Sequence, residues 1–218
     1  MEREFWHTRW EEGRIGFHQD EINPYLQRYW PAMGVPAGTT VFVPLCGKSK
    51  DMIWLRDQGH SVIGVEIIPR AVEDFFDENG LSATCRTHDA FTVWQDQDFK
   101  IFQGDFFDIT ANDVAGIGVV YDRASLIALP PPLRARYAEH LRTILPSRLK
   151  VLLVTMDYPQ HEMDGPPFAV AEQEVTALYQ DHFAIEQLCR EDILAANPRF
   201  QQQGLSSLME KVYILNVK

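Results

Sequence analysis

The sequence has little of several features that mark other classes of protein. Its three cysteines, Cys46, Cys85 and Cys189, form no C-x-x-C pair, which argues against a disulfide framework and a structural zinc site and favours a reducing compartment. No apolar run approaches the roughly 18 residues that a membrane span requires, and the first residues lack the basic-then-apolar pattern of a signal peptide. We therefore expect a cytoplasmic protein without a bound metal.

Positive charge is also scarce. The 218 residues include 20 Lys and Arg against 31 Asp and Glu, which gives a formal net charge of −11. A surface of that sign repels phosphate backbones and anionic membranes. The length, with 45% apolar residues, suffices for one sizeable core. We expect a single domain over residues 1–218 that binds neither nucleic acid nor membranes.

Strand and helix patterns alternate along most of the chain. This alternation predicts an α/β fold, with a mostly parallel sheet covered by helices on both faces. Two short alternating pieces, 91–94 and 99–102, predict an inserted hairpin. Residues 1–35 contain two short predicted helices and form an expected cover on a core of residues 36–218. The other predicted strands are 40–44, 61–66, 117–121, 149–156, 183–188 and 211–217, and the other predicted helices are 50–57, 71–78, 133–145 and 171–179.

The ends of the first two strands carry the strongest functional signal. In an open parallel sheet, ligands bind beyond the carboxyl ends of the strands. The first strand runs into Leu45, Cys46 and Gly47, a tight turn whose glycine lets a ligand approach the backbone. The second strand ends in Glu66, which follows Leu45 by 66 − 45 = 21 residues. An acid at this spacing accepts hydrogen bonds from a ribose diol, so the pattern predicts a nucleotide-type ligand.

Two missing motifs narrow the choice of ligand. The turn holds a single glycine, so it lacks the dinucleotide pattern G-x-G-x-x-G, and it lacks the Walker lysine motif. A ligand with a ribose but no phosphates, such as S-adenosylmethionine, fits better. Trp6 and Trp10, four residues apart on one helix face, are candidates to cover its sulfonium with their π-faces. Phe106 is a candidate for its adenine, and ordinary core packing is the alternative for all three aromatics.

Several motifs together resemble the thiopurine S-methyltransferase family in its bacterial form, from about residue 5 to the C-terminus. The most specific are Pro-Leu-Cys-Gly-Lys at 44–48 and Gly-His-Ser-Val-Ile-Gly-Val-Glu at 59–66. Trp-x-x-x-Trp at 6–10, Phe-His-Gln at 17–19, Asp-Arg at 122–123 and Gly-Pro-Pro-Phe at 165–168 support them. The resemblance implies a Rossmann-like class I methyltransferase with a seven-stranded sheet, and a monomer. It also implies methyl transfer from S-adenosylmethionine to the sulfur of aromatic and heterocyclic thiols such as thiopurines, with selenium or tellurium compounds as further acceptors.

The resemblance also implies roles for individual residues. Phe17 and Arg199 fall where the family contacts its acceptor, although the sequence around Arg199 departs from the mammalian pattern. We hypothesise that Arg123 acts in catalysis by favouring the acceptor thiolate, with His18 as a proton acceptor. The positions that match the family's S-adenosylmethionine contacts are Trp10, Leu45, Glu66 and Arg123, with Gly47, Trp6 and Phe106 as additional ones.

Two other functions stay open at this level. A nicotinamide-dependent oxidoreductase uses a similar sheet, but the single-glycine turn disfavours it. A non-catalytic sensor of S-adenosylmethionine would not need the Trp, Phe and Arg groups that face the expected acceptor. Cys46 lies in the predicted cofactor turn, and we interpret it as a small buried hydrophobe because free cysteines most often serve in that way.

Overall fold

The computed structural model describes residues 3–147 and 149–218, without the side chain of residue 3. Its strands are β1 Thr40–Val43, β2 Val62–Glu66, β3 Thr84–His88, β4 Phe91–Gln95, β5 Phe99–Gln103, β6 Ile117–Arg123, β7 Lys150–Asp157, β8 Phe183–Asp192 and β9 Met209–Val217. Its helices are α1 Arg3–Glu11, α2 Pro24–Tyr29, α3 Asp51–Asp57, α4 Pro69–Glu78, α5 Pro131–Ile144, α6 Glu172–Tyr179 and α7 Pro198–Gln202.

One mixed sheet organises the described part of the chain. The strand order is β3-β4-β5-β2-β1-β6-β7-β9-β8. The five central strands are parallel to one another: β5, β2, β1, β6 and β7. From β1 the chain builds outward through β2 on one side, and it later returns to place β6 on the other side. This reversal of strand order opens a crevice at the carboxyl ends of β1 and β6, which is where such sheets bind ligands.

The central strands are buried on both faces. Successive side chains of a strand point to opposite faces, so Phe42 packs into one core cluster while Val41 and Val43 pack into the other. Helices α5 and α6 cover the first face through Tyr137, Leu141, Val175 and Tyr179, and α2, α3 and α4 cover the second through Leu26, Met52 and Phe75. The predicted α/β class, with helices on both faces, is confirmed.

The sheet is wider than predicted. The predicted hairpin exists as β4 and β5, which pair antiparallel, but it is not an insertion. Strand β5 also pairs in parallel with β2 from Val62↔Phe99 to Glu66↔Gln103, so it is a strand of the central sheet. Strand β3 extends the same edge and escaped prediction because its side chains, Thr-Cys-Arg-Thr-His, are mostly exposed and carry no apolar alternation. The described chain therefore has nine strands, where the sequence patterns predicted eight and the family resemblance implied a sheet of seven.

The N-terminal segment divides into two parts with different packing. Helix α1 lies over the carboxyl edge of the sheet and packs on Ile68 and Ala71. Helix α2 belongs to the main core, because Leu26 and the following Met33 are almost fully buried among the sheet residues. Asn23 caps α2 by accepting hydrogen bonds from the N–H groups of Tyr25 and Leu26. No helix in the described residues is long and apolar enough to cross a membrane.

Candidate functional site

A cavity of about 340 Å³ lies at the carboxyl ends of β1, β2, β6 and β7, with α1 forming part of its wall. This volume is within the range of small-molecule sites, and a crevice at the reversal of strand order is the usual position for one. All the predicted site residues except Phe106 line it: Trp6, Trp10, Phe17, His18, Leu45, Gly47, Glu66, Arg123 and Arg199.

Two strand ends at the cavity hold unusual backbone conformations. Leu45, after β1, has φ 46° and Ala124, after β6, has φ 67°. Side chains other than glycine rarely adopt this left-handed region, at a cost on the order of 1–3 kcal/mol each. The hydroxyl of Ser125 donates to the carbonyl of Pro44 over 2.8 Å and ties the two strand ends together. Such conformations persist where surrounding structure fixes them, and they concentrate at ligand sites.

Glu66 and Gly47 form the centre of the first turn. Glu66 is 6% exposed, and its two carboxylate oxygens accept hydrogen bonds from the N–H groups of Gly47 and Ile68, each over 2.8 Å. Burial raises the pKa of Glu66, and the backbone N–H groups of Ile68 and Gly47 oppose the rise. Each carboxylate oxygen keeps a second lone pair. The carboxylate can therefore accept hydrogen bonds from both hydroxyls of a ribose, so the turn fits the ribose of S-adenosylmethionine.

Gly47 fits the same ligand. Its φ of 53° is left-handed, and a Cβ built there would meet only Trp10, at 3.8 Å. The backbone face above the turn is therefore open, as a close approach by a ligand requires. The turn has one glycine and carries no phosphate-binding loop, which suits a nucleoside ligand without phosphates.

The two tryptophans of α1 line the cavity and also contact Phe17. Phe17 packs edge to face between the two tryptophans, with ring centroids 5.6 Å from Trp6 and 6.0 Å from Trp10. Trp10 is 8% exposed and packs with Ile68. Core packing and a position at the cavity were alternatives for these tryptophans, and the structure shows both. The face of α1 that attaches the helix to the sheet also lines the cavity.

Arg123 ends β6 as a half-buried cation. Within the described residues its guanidinium forms no ion pair within 4.0 Å and no hydrogen bond. Arg123 pairs with Val154 on β7, and Met156, two residues further on the same face, pairs with Glu210 on β9. Arg123 and Glu210 thus lie on one face of the sheet and both line the cavity. Burial raises the pKa of Glu210, and the positive charge of Arg123 opposes the rise.

The sequence analysis identified Glu66 but missed two other acidic residues of the cavity, Asp51 and Glu210. Glu210 lies at the start of β9, before the apolar run of that strand, and no signal in the sequence distinguishes it from an exposed acid. Asp51 is 2% exposed and accepts hydrogen bonds from the N–H of Asn23 over 2.8 Å and from the hydroxyl of Tyr121 over 2.9 Å. Asp51 thereby joins α2, α3 and β6 at the cavity, a convergence that no spacing in the sequence shows.

His18 lies near side chains of both charges, Asp20 and Lys48. Its Nε2 is 3.8 Å from Asp20, and burial, with a smaller effect of Lys48, lowers the pKa of the imidazole. Lys48 itself is held by Glu78 at 2.6 Å and Asp74 at 3.5 Å, both on α4. A neutral imidazole has an acceptor nitrogen, which is the form that the predicted proton acceptor needs.

Two residues considered in the sequence analysis, Phe106 and Cys46, are buried and fit a packing role. Phe106 is 3% exposed, does not line the cavity, and stacks on Tyr137 with ring centroids 4.8 Å apart. Its packing corresponds to the core alternative, so the structure gives the adenine assignment no support. Cys46 is buried, and burial raises the pKa of its thiol well above the usual value, which fits its interpretation as a small buried hydrophobe.

Comparison with known proteins identifies the family of this chain. The family model described as thiopurine S-methyltransferase matches residues 1–218. The thiopurine S-methyltransferase of Nitrosospira multiformis is 53% identical over 215 residues, covering 99% of this chain and 98% of its own. The thiopurine S-methyltransferase of a Pseudomonas fluorescens strain is 48% identical over 216 residues, covering 99% and 97%.

Solved structures agree on the fold. The Burkholderia thailandensis 1,6-didemethyltoxoflavin-N1-methyltransferase, crystallised with S-adenosylhomocysteine, superposes with a TM-score of 0.65 at 14% identity, covering 99% of this chain and 87% of that one. An S-adenosylmethionine-dependent methyltransferase from Anabaena variabilis gives a TM-score of 0.66 at 12% identity, covering 99% and 95%. Because the family model matches the whole sequence and these thiopurine S-methyltransferases are 53% and 48% identical over nearly the full length, the chain belongs to the thiopurine S-methyltransferase family and is an S-adenosylmethionine-dependent S-methyltransferase.

Proposed function

We propose that the protein methylates the sulfur of aromatic or heterocyclic thiols, thiopurines among them, with selenium or tellurium compounds as further acceptors. The observation that carries this proposal is Arg123, a guanidinium without an ion pair in the described chain, in a cavity that also holds the Glu66 turn. The names of the relatives, which are thiopurine S-methyltransferases, support the choice of acceptor.

The residues on the β1 and β2 side hold the cofactor. Glu66 accepts the ribose hydroxyls, Gly47 and Leu45 let the ligand lie against the backbone, and Trp6 and Trp10 offer π-faces to a sulfonium cation. When bound, S-adenosylmethionine supplies a methyl group that an acceptor thiolate can attack in line, with the carbon–sulfur bonding pair leaving on the sulfur of S-adenosylhomocysteine. The sulfonium is already an activated leaving group, so the chain's task is alignment and exclusion of water.

A second set of residues serves the acceptor. Phe17, Pro166 and Pro167 line the cavity with apolar surface, which suits a flat ring and keeps water away. Arg123 stabilises negative charge on the acceptor sulfur and so favours the thiolate, the reactive form. His18, neutral because burial lowers its pKa, receives the thiol proton.

The test removes the guanidinium of Arg123. With labelled S-adenosylmethionine and a thiopurine, we expect Arg123→Ala to lower kcat/KM by about a hundredfold, the usual cost of losing one preorganised electrostatic contact. The control is Arg142→Ala, which removes a guanidinium on α5 that pairs with Glu139 outside the cavity. Calorimetric titration with S-adenosylhomocysteine separates the cofactor role of Arg123 from its acceptor role.

Two results would contradict the proposal. A loss of kcat/KM smaller than about threefold in Arg123→Ala would remove this residue from the mechanism. Binding of S-adenosylhomocysteine without label transfer to any thiol, thiopurine or selenite in a panel would instead favour the sensor alternative.

A further inference from the structure

Three arginines from separate segments line one side of the cavity. Arg9 lies on α1, Arg14 in the turn that follows it, and Arg199 on α7. Burial lowers the pKa of Arg9, and the positive charges of Arg14 and Arg199 lower it further. The three side chains line the same cavity and act on one another electrostatically, so they concentrate positive charge there in a protein of net charge −11.

The position of Arg199 is fixed by Gly16. A guanidinium N–H of Arg199 donates to the carbonyl of Gly16 over 3.1 Å. A Cβ built on Gly16 would lie 2.0 Å from Nη1 and 2.9 Å from Cζ of Arg199. The guanidinium therefore lies flat against the backbone, where only glycine leaves room for it. This contact holds α7 to the turn after α1 and leaves the other N–H groups of Arg199 available for a ligand.

The cluster has too few counterions of its own. Arg14 pairs with Glu12. Arg9 and Arg199 form no ion pair within 4.0 Å in the described residues, and the Nε of Arg9 is buried without a hydrogen-bond partner there. The guanidinium of Arg9 rests over the ring of Phe5, 4.7 Å from its centroid. Glu12 also acts on Arg9, whose pKa it raises. Three like charges that share this one carboxylate still repel one another, so the arrangement favours an anion that a ligand brings.

Resting on the proposed function, we propose that Arg9, Arg14 and Arg199 bind an anionic substituent, a carboxylate or a phosphate, on the acceptor thiol at the end away from its sulfur. Guanidinium groups suit these anions because their planar N–H fork matches two oxygens. Arg199 is followed by Phe200, which packs with Ile127 and Met156 on the β6 and β7 side of the cavity. The ribose-accepting turn lies on the β1 and β2 side, where α1 with Arg9 also packs, so it is Arg199 that extends the cluster toward the acceptor. The preferred acceptors are then anionic thiols, and neutral thiols of the same shape are poorer.

The test compares two thiols that differ in one charge. We would measure kcat/KM for 4-mercaptobenzoate and 4-mercaptobenzamide at a pH at which both thiols are ionised. The wild-type enzyme should favour the carboxylate by about tenfold or more, as charged hydrogen bonds predict. In Arg9→Gln/Arg199→Gln this preference, the ratio of the two kcat/KM values, should fall to about twofold or less, and a loss that is equal for both thiols does not change that ratio. Arg142→Gln, the matched control outside the cavity, should leave both values unchanged.

Additional measurements separate the alternatives. Arg199→Lys keeps the charge but loses the fork, so it should keep part of the preference. Calorimetry with the products, 4-(methylthio)benzoate and its amide, on the complex with S-adenosylhomocysteine tests the anion site without turnover. Thermal unfolding of each variant confirms that it folds.

Three results would overturn the inference. One is a wild-type enzyme that does not distinguish the two thiols or the two products. The second is a preference that survives in the double variant. The third is weaker binding of S-adenosylhomocysteine with an unchanged preference, which would assign the arginines to the carboxylate of the cofactor. If neither thiol is methylated but the product carboxylate binds through the arginines, the proposed function fails and the anion site stands.

Discussion

At the scale of single residues, the carboxylate oxygens of Glu66 have two roles. They fix the N–H groups of Gly47 and Ile68, and in the proposed function they accept the ribose hydroxyls. An amide at this position would turn an NH2 group toward a backbone N–H, since one of its two terminal atoms is a donor. The turn would then lose both a hydrogen bond and its charge.

We therefore expect Glu66→Gln to weaken binding of S-adenosylhomocysteine by about tenfold to a hundredfold, the cost of one or two hydrogen bonds to a charged group. Calorimetric titration at fixed pH measures it. The control is Glu186→Gln, an exposed acid on β8 outside the cavity. An unchanged dissociation constant in Glu66→Gln would show that the ribose is held elsewhere.

Asp122, next to Arg123, belongs to the core and not to the cavity. It is fully buried, its Oδ2 accepts from the hydroxyl of Tyr137 over 2.7 Å, and its Oδ1 has no hydrogen-bond partner in the described chain. Burial raises the pKa of Asp122 to about 6 from 3.8. Since the folded-state pKa lies above the unfolded one, this group favours the folded state below about pH 4, and that contribution is lost as the pH rises through about 6.

The variant Asp122→Asn should remove this pH dependence. The pKa difference corresponds to roughly 3 kcal/mol at most, so the free energy of unfolding of the variant, relative to wild type, should increase between pH 4 and pH 7. Urea unfolding at several pH values measures it. Tyr137→Phe keeps the carboxyl but removes a hydrogen bond that lowers the pKa of Asp122, so the pH dependence should persist in this variant and become larger. Parallel pH profiles for wild type and Asp122→Asn would contradict the assignment.

At the scale of elements, β5 shows how a local pattern can hide a long-range role. Its alternation with β4 indicates a hairpin, and only its parallel pairing with β2 shows that it belongs to the central sheet. Ile101, in the middle of β5, is fully buried against residues of both neighbouring strands. An inserted hairpin would bury much less.

We expect Ile101→Ala to lower the free energy of unfolding by about 2–5 kcal/mol, as for other fully buried aliphatic side chains. Cys85→Ala, on the exposed edge strand β3, should change it by less than about 0.5 kcal/mol. Urea unfolding measures both variants. A cost below about 1 kcal/mol for Ile101→Ala would mean that β5 is peripheral after all.

Elements that bury continuous apolar runs were predicted well, and polar elements were not. The predicted bounds of β1 and β7 lie within one residue of the observed ones, because strands covered on both faces are apolar throughout. Strand β3 and helix α7 were missed, since α7 has five residues, Pro-Arg-Phe-Gln-Gln, and no buried side chain. Arg199 was identified without the helix that carries it.

At the scale of the whole molecule, the site is made from segments far apart in the sequence. The sequence predicted Leu45, Gly47 and Glu66 because they lie at the ends of the first two strands. Their spacing can be read directly from the local sequence. Glu210, Asp51 and Arg9 could not be predicted, since their place at the cavity depends on how β9, α3 and α1 pack. The same holds for charge: a net charge of −11 gives no hint that arginines gather at one cavity.

The contact between Gly16 and Arg199 joins residues 183 positions apart, and this separation has a consequence for protein synthesis. A ribosome adds roughly 5–20 residues per second, so Gly16 precedes Arg199 by about 9–37 s. During that interval Trp6, Trp10 and Phe17 lack the far wall of their cavity, and the nascent chain presents these aromatic rings to chaperones and proteases. The cavity is complete only once α7 and β9 have been synthesised, because Arg199 and Glu210 are part of its lining.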